Sequence, residues 1–208
     1  MLTIENVVVP STQQWEIVIS GMRNPMNSWD KSDSFRAYDG RLIIGGRDMA
    51  LMLALCKRGP EHAKFRRMIP VMLTVTAPTF WWIEFDTYKV GTVRNSCSKM
   101  HKVHVEPFTL DNFSHEGCDQ IPPALEHLEN TIVVCEYLRK KFNETQEKKF
   151  WRALIELLPH GYMMKATISL NYEVLCGIYH SRKNHKLDEW HTFCEAIERL
   201  PYSEIITA

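Results

Sequence analysis

The sequence has 208 residues, which is the length of one ordinary domain and enough to bury a core without disulfides or metals. Apolar residues make up 45% of it and charged residues 24%, which is a globular composition. Lys plus Arg and Asp plus Glu each number 25, and this zero net charge excludes a general binder of duplex nucleic acid. A local basic cluster can still bind one phosphate.

The cysteines and the N-terminus indicate a cytoplasmic protein. Most of the cysteines lie among apolar residues and none forms a Cys-x-x-Cys pair, as expected for free thiols in a reducing compartment. The first ten residues lack a basic stretch followed by an apolar run, so no signal peptide is expected, and no segment is long enough to span a membrane. The six cysteines are Cys56, Cys97, Cys118, Cys135, Cys176 and Cys194.

The N-terminal part predicts strands and loops. Residues 2–9 and 15–19 are predicted to be two strands on either side of a turn at Pro10. Residues 22–47 are rich in Asn, Asp, Ser and Gly, which predicts a loop with a short strand at 41–44.

The clearest elements follow. Asp48 is a good N-cap for a helix over 48–58 that ends at Gly59. Residues 69–76 alternate in a β-branched run and predict a strand, and a helix is expected over 80–88 after an Ala-Pro break.

The C-terminal half is predicted to be mostly helical. Residues 89–105 are polar and give no clear element, and 106–121 are predicted to be a loop. The helix at 186–200 places Trp190 and Phe193 on one apolar face. The elements predicted beyond the loop are helices at 123–141, 145–157, 171–180 and 186–200, and a helix or strand at 161–170. Together these elements predict a single α/β domain over residues 1–208.

The segment from Tyr88 to Lys99 has the composition of a phosphate-binding loop. It carries three cations, several hydroxyl and amide donors, one glycine and no acidic residue. A phosphate needs charge-assisted donors that converge from a short loop. The wider segment from Glu84 to Lys102 is therefore predicted to form a pocket for an anionic, nucleotide-like ligand. The alternative is a basic loop that is merely solvated.

Histidines and cysteines of the same region suggest other chemistry. Cys97-x3-His101-x2-His104, with His115 and Cys118 downstream, contains zinc-ligand types, but the spacing matches no standard finger and no metal site is predicted. Unrelated side chains on one loop are the favoured interpretation. Cys97 also lies beside cations that would activate a thiol, and His101 is available as a base, so a cysteine nucleophile is a further hypothesis.

Two other clusters have simpler explanations. Arg182 is followed by His185 and Glu189, which lie one helical turn apart, although an exposed helix start explains them as well. The aromatic residues between Phe80 and Tyr88 are predicted to pack in the core or in a subunit interface, with stacking on a flavin or a base as the minority interpretation.

The order of these features resembles the flavin-dependent thymidylate synthase family over about residues 45–200. That family has a helix ending at Gly, a His loop, a strand ending in Ala-Pro, and a Trp-Phe helix that leads into the signature Arg-His-Arg-x-x-Ser-x-x-x-x-Ser-x-Arg. The corresponding features here are, in chain order, Gly59, His62, Ala77-Pro78, Trp81-Trp82, the thirteen residues 87–99, Leu158-Pro159, Arg182, His185 and Glu189.

The resemblance implies two sets of binding residues. The residues implied for the substrate are Arg94, Cys97, Ser98, Lys99 and Arg182. Those implied for the flavin are Thr87, Tyr88, Lys89, Asn95 and His185. The flavin set departs most from the family, since the Arg-His-Arg triplet aligns with Thr87-Tyr88-Lys89, and Lys does not replace the forked contact of an Arg. No catalytic residue is assigned, because in that family the flavin supplies the hydride and no protein nucleophile attacks the base.

The resemblance also implies a fold and a function. The fold is α/β (α+β), with a central, mostly antiparallel sheet flanked by helices. The implied function is to bind a pyrimidine deoxynucleotide monophosphate and to transfer a methyl or hydroxymethyl unit to its C5, with FAD as cofactor and folate and NADPH as co-substrates. A homotetramer with shared active sites is implied as well. The alternative is a non-catalytic nucleotide-binding protein on the same fold that has lost flavin chemistry.

Overall fold

The computed structural model describes residues 2–208, which form nine α-helices and six β-strands joined by loops and 3₁₀ turns. The strands are β1 (Thr3–Val8), β2 (Phe35–Arg36), β3 (Leu42–Ile43), β4 (Pro70–Pro78), β5 (Val93–Ser96) and β6 (Met163–Asn171). The helices are α1 (Thr12–Arg23), α2 (Gly46–Cys56), α3 (Thr79–Phe85), α4 (Lys99–Lys102), α5 (Pro122–Thr145), α6 (Lys148–Leu157), α7 (Tyr172–Arg182), α8 (Asp188–Glu198) and α9 (Glu204–Thr207).

A four-stranded antiparallel sheet is the centre of the fold. Its spatial order is β1-β4-β6-β5, and β2 pairs with β3 in a separate antiparallel hairpin. The central strands β4 and β6 are joined by a side-chain hydrogen bond between the hydroxyls of Thr74 and Thr167, 3.0 Å apart. Strand β4 is largely buried, as its nearly continuous run of apolar and β-branched residues predicts. The predicted mixed α/β fold with an antiparallel sheet is confirmed.

The predicted strand at 15–19 is wrong, because these residues lie inside helix α1. Ser11 and Gln14 form a capping box, in which each side chain accepts a hydrogen bond from the other's backbone N–H. Trp15 and Met22, on one face of the helix, are buried. The capping box and the helical spacing of the apolar residues outweigh the β propensity of the Ile-Val-Ile run.

The helix predicted at 48–58 is present as α2, but its predicted N-cap is wrong. Helix α2 begins at Gly46, and Gly45 occupies the N-cap position. Asp48 is instead fully buried in the first turn, where its carboxylate accepts a hydrogen bond from Arg23 Nε at 2.6 Å. Asp48 therefore stabilises a tertiary ion pair instead of capping its own helix.

The remaining elements follow the prediction closely. The strand predicted at 69–76 is β4, and the ambiguous segment 161–170 forms β6. The unassigned stretch 89–105 contains β5 and α4. Within residues 2–208, no helix combines the length and the apolar character needed to cross a bilayer.

The chain divides into two compact units. Unit 1 contains residues 2–3, 75–87 and 95–166, and unit 2 contains residues 4–74, 88–94 and 167–208. The core of unit 1 includes Val103, Phe108, Phe113, Ile132, Cys135, Leu138 and Leu154. The core of unit 2 includes Trp15, Met52, Tyr172, Trp190 and Phe193. The prediction that residues 1–208 form one domain stays a prediction.

Candidate functional site

In unit 1, the end of strand β5 presents three of the predicted substrate residues in succession. The backbone N–H of Cys97 donates to the carbonyl of Lys165 at 3.0 Å, which fixes the chain beside β6. The hydroxyl of Ser98 accepts a hydrogen bond from the backbone N–H of His101 at 3.3 Å and caps the short helix α4. Lys99 is the first residue of that helix. These contacts hold the segment in one conformation.

Two cavities of unit 1 meet at this segment, and Cys97, Ser98, Lys99 and Met164 line both of them. The first has a volume of about 460 Å³ and is called the neutral cavity. The second has a volume of about 320 Å³ and is called the lysine cavity. The neutral cavity is also lined by Thr79, Ser96, Met100, Ile155, Glu156, Leu158, Pro159 and His160. The lysine cavity is also lined by Thr76, Lys102, Val103, Asp111, Asn112, Tyr162, Met163 and Lys165.

The two cavities differ in charge. Among the residues that line the neutral cavity, the formal charges of Lys99 and Glu156 sum to zero, and the Glu156 carboxylate is itself ion-paired with Arg152. The lysine cavity contains Lys99, Lys102 and Lys165 against the single carboxylate of Asp111, so its wall carries two more positive than negative formal charges. The lysine cavity is therefore the part of this site that attracts an anion.

A phenol lies close to the thiol at the junction of the cavities. Burial raises the pKa of Tyr162, and the nearby Cys97 raises it further. The phenol therefore stays protonated at neutral pH. Cys97 itself is exposed, and its predicted base, His101, lies outside the lining of both cavities. The cysteine-nucleophile hypothesis stays a prediction.

In unit 2, a second group of predicted residues is held together by aromatic rings. The Nε of Arg182 donates to the hydroxyl of Tyr88 at 2.8 Å. Its guanidinium carbon lies 5.6 Å from the Tyr88 ring centre and 4.8 Å from that of the buried Trp190, which are cation–π distances. His185 packs edge-on against the same indole, and its Nδ1 accepts a hydrogen bond from the backbone N–H of Leu187 at 3.2 Å.

Of the other residues predicted for the flavin side, Thr87 and Lys89 lie between α3 and β5, and Asn95 lies in β5. The hydroxyl of Thr87 donates to the carbonyl of Glu84 at 2.8 Å and so closes the end of helix α3. Lys89 is exposed. Gly91 has a φ of 78°, and a Cβ at this position would lie 3.1 Å from Cγ2 of Val174. Only glycine fits this turn without strain.

The structure thus groups the predicted residues into two sets. Cys97, Ser98 and Lys99 are brought together at the cavities of unit 1, and Tyr88, Arg182 and His185 are brought together around Trp190 in unit 2. The other predicted residues, Thr87, Lys89, Arg94 and Asn95, line neither of the two cavities.

Sequence reasoning missed three charged residues of the lysine cavity. Lys102, Asp111 and Lys165 line it, although none belongs to the thirteen-residue segment that resembles the family signature. Lys102 is the last residue of the segment from Glu84 to Lys102 that was predicted to form an anion pocket, but it was not assigned as a binding residue. Within residues 2–208, no three His, Cys, Asp or Glu side chains are grouped so that they could hold a metal ion.

Comparison with known proteins places the fold. No family model matches the sequence, and no curated protein matches it. The flavin-dependent thymidylate synthase ThyX of Helicobacter pylori, crystallised with FAD and dUMP, matches with a TM-score of 0.70 and 15% identity over 99% of this chain and 97% of that one. A second crystal structure of ThyX from Helicobacter pylori with FAD and dUMP gives a TM-score of 0.68 and 14% identity over 100% of this chain and 99% of that one.

A third match is the UMP/dUMP methylase PolB of Streptomyces cacaoi, bound with 5-Br dUMP. It has a TM-score of 0.66 and 15% identity over 95% of this chain and 88% of that one. Identities this low show the fold alone, and the fold agrees with the layout of Ala-Pro strand, Trp-rich helix and thirteen-residue segment read from the sequence. The chain therefore has the fold of the flavin-dependent thymidylate synthases.

Proposed function

We propose that the chain binds a pyrimidine deoxynucleotide monophosphate at the two cavities of unit 1 and transfers a one-carbon unit to C5 of its base. The observation that carries the proposal is the position of Cys97, Ser98 and Lys99. These residues correspond to the substrate end of the family signature, and all three line both cavities. Structures with the same fold were crystallised with dUMP or 5-Br dUMP, which supports this ligand class.

The size and chemistry of the cavities support a ligand of this kind. Pockets for small molecules typically measure about 300–1,000 Å³ and combine apolar walls with a few polar groups. The neutral cavity, at about 460 Å³, has the apolar side chains of Ile155, Leu158 and Met164 beside hydroxyl donors. A planar base needs such walls, and a phosphate needs cations, which the lysine cavity supplies.

The residues at the flavin positions do not fit FAD in the manner that the resemblance implies. The hydroxyls of Thr87 and Tyr88 are engaged with the carbonyl of Glu84 and with Arg182, and Nδ1 of His185 accepts a hydrogen bond from the backbone N–H of Leu187. FAD is therefore proposed only because the fold is similar to that of ThyX, whose crystals contained FAD. Folate and NADPH are proposed on the same resemblance.

This engagement favours a second candidate function, a nucleotide-binding protein without flavin chemistry. Both candidates share the nucleotide site, and they differ in whether the protein binds FAD and converts dUMP. The homotetramer and the cytoplasmic location rest on the same likeness and on composition, and light scattering of the purified protein checks the first of them.

Thermal unfolding with dUMP tests the shared part of the proposal. A ligand at one hundred times its Kd stabilises the folded state by about 2.7 kcal/mol, which for a protein of this length raises Tm by about 5–10 °C. The variant Lys99→Ala is expected to reduce this shift. The matched control is Lys148→Ala, an exposed lysine at the start of α6 that lines neither cavity. If dUMP, dTMP and dCMP all leave Tm unmoved, the nucleotide site is refuted.

The two candidates are separated by FAD binding and by product. The transferase candidate predicts flavin absorbance that titrates to one FAD per chain, and a mass increase of dUMP in the presence of methylene-folate and NADPH. The binding-protein candidate predicts neither signal, while the shift of Tm with dUMP persists.

A further inference from the structure

We propose that Cys56 and Cys176 form a modification site, at which a peroxide oxidises the two thiols to a disulfide that ties helix α2 to helix α7. Cys56 is the last residue of α2, and Cys176 lies within α7. Both thiols are free and half-buried, and both belong to unit 2. The inference is independent of the nucleotide site, which is proposed in unit 1.

Shared hydrogen-bond partners bring the two sulfur atoms together. The thiol of Cys56 donates to the carbonyl of Ile205 at 3.5 Å. Arg66 Nη1 donates to the same carbonyl at 3.3 Å and to Sγ of Cys176 at 3.1 Å. One oxygen and one nitrogen therefore connect the two sulfurs. The sulfur of Cys176 is also close enough to contribute to the raised pKa of Cys56.

The backbone around Cys56 allows the sulfurs to complete their approach. A disulfide needs a sulfur–sulfur distance of about 2.05 Å and Cα atoms about 4.4–6.8 Å apart. Helix α2 ends at Cys56, and the turn beyond it contains Gly59 with a φ of 92°, so the residue lies where a helix frays most easily. The new bond replaces the contact of Cys56 with Ile205. Arg66 stays in place, because its Nε donates to Glu173 at 2.7 Å.

Arg66 determines which sulfur reacts first. The thiolate is the nucleophile, and the guanidinium 3.1 Å from Cys176 Sγ stabilises the thiolate at that position. This thiolate attacks one peroxide oxygen, the O–O bond breaks, and a sulfenic acid and hydroxide form. The sulfur of Cys56 then attacks the sulfenic sulfur, whose oxygen leaves as water. In all, the two thiols lose two electrons and two protons, and hydrogen peroxide is reduced to two water molecules.

Burial sets the pH dependence of this reaction. It raises the pKa of both thiols, and the nearby Arg66 offsets only part of the increase. Both sulfurs are therefore largely protonated at pH 7, and the rate of oxidation is expected to increase about tenfold between pH 7 and pH 8.

Peptide mapping tests the pairing. The protein is treated with hydrogen peroxide, the remaining thiols are blocked with iodoacetamide, and trypsin digestion follows without reductant. The expected product joins the peptide of residues 48–57 to that of residues 166–182, and is lighter than the two reduced peptides together by two hydrogen atoms. Cys56→Ser and Cys176→Ser should each abolish this product. The matched control is Cys118→Ser, which changes a half-buried cysteine of unit 1 and should leave the product unchanged.

Thermal unfolding measures the consequence of the bond. The disulfide closes a long loop of the chain, from residue 56 to residue 176, and so restricts the unfolded state. Tm is therefore expected to rise by about 5–10 °C after oxidation and to return to its starting value with dithiothreitol. Cys176→Ser should show no such rise.

Three results would overturn the inference. The first is oxidation of either cysteine to a sulfinic or sulfonic acid without the linked peptide, which would mean that the second thiol is out of reach. The second is equal formation of the linked peptide in denaturant, which would mean that the fold does not select this pair. The third is an unchanged Tm in a sample that contains the linked peptide, which would mean that the bond strains the native structure. None of these results bears on the binding of dUMP.

Discussion

Replacing Asp48 by alanine removes the carboxylate that neutralises the buried Arg23. The side chain of Asp48 is 0% exposed and that of Arg23 4% exposed, and Nε donates to the carboxylate at 2.6 Å. The second carboxylate oxygen accepts from the hydroxyls of Ser32 and Ser34 at 2.6 and 2.7 Å and from the backbone of Asp33 at 3.1 Å. Each of these donors would be left without its acceptor.

The cost follows from these contacts. Breaking a buried ion pair by removing one partner costs about 3–5 kcal/mol, because the remaining charge stays buried. With an urea m-value of about 2 kcal/mol/M, the unfolding midpoint of Asp48→Ala should fall by about 1.5–2.5 M at unchanged m. The matched control is Arg36→Ala, which breaks an exposed pair with Glu16 and should leave the midpoint nearly unchanged. Equal midpoints for the two variants would refute the reasoning.

The pH dependence of stability provides a second readout of the same variant. Burial alone would raise the pKa of Asp48, but hydrogen bonds from Ser32 and Ser34 and the ion pair with Arg23 outweigh it and lower the pKa. A carboxyl whose folded pKa lies below its unfolded value contributes stability above the unfolded pKa, near 4, and this is lost as pH falls through the folded pKa. Asp48→Ala should therefore lose less stability below pH 4 than the unmodified protein.

Three further outcomes test the site and its supports. Iodoacetamide should alkylate the exposed Cys97 rapidly, and dUMP at ten times its Kd should slow this about tenfold while Cys118 reacts unchanged, as peptide mass spectrometry would show. Tyr88→Phe removes the acceptor of a part-buried guanidinium hydrogen bond in unit 2 and should lower the free energy of unfolding by about 1 kcal/mol, whereas the control Tyr179→Phe, which loses an exposed hydrogen bond, should cost less. Gly91→Ala should lower stability by about 1–2 kcal/mol in urea unfolding, because its φ is positive and its neighbours are close.

Local signals predicted most of the elements. The β-branched run at 69–76 predicts strand β4, and the Pro pair at 122–123 predicts the start of helix α5. Both predictions are correct because each signal depends only on residues that are neighbours in the sequence. The strand predicted at 15–19 is wrong because its alternation of apolar and polar residues is too short to distinguish a strand from a helix. The helix that these residues form begins with the capping box at Ser11.

The candidate site was harder to predict, because side chains far apart in sequence converge on it. The segment resembling the family signature identified Cys97, Ser98 and Lys99, which are consecutive. Lys165 reaches the same cavity only because β5 pairs with β6 in the sheet, and no local pattern reports that pairing. A search of the sequence for clusters of basic residues therefore finds the segment 88–99 but misses Lys165, which adds positive charge to the same cavity.

The zero net charge of the chain and the positive wall of one cavity are compatible because a phosphate responds to local charge. Fields from exposed groups are screened within about 10 Å at moderate salt, so acidic residues elsewhere on the surface do not cancel three lysines around one cavity. Of the three cations in the segment from Tyr88 to Lys99, only Lys99 lines the cavity, and Lys102 and Lys165 supply the rest. Composition therefore carries no weight against a single nucleotide, because the binding of one phosphate depends on the few charges that the sheet and helix α4 bring to one place.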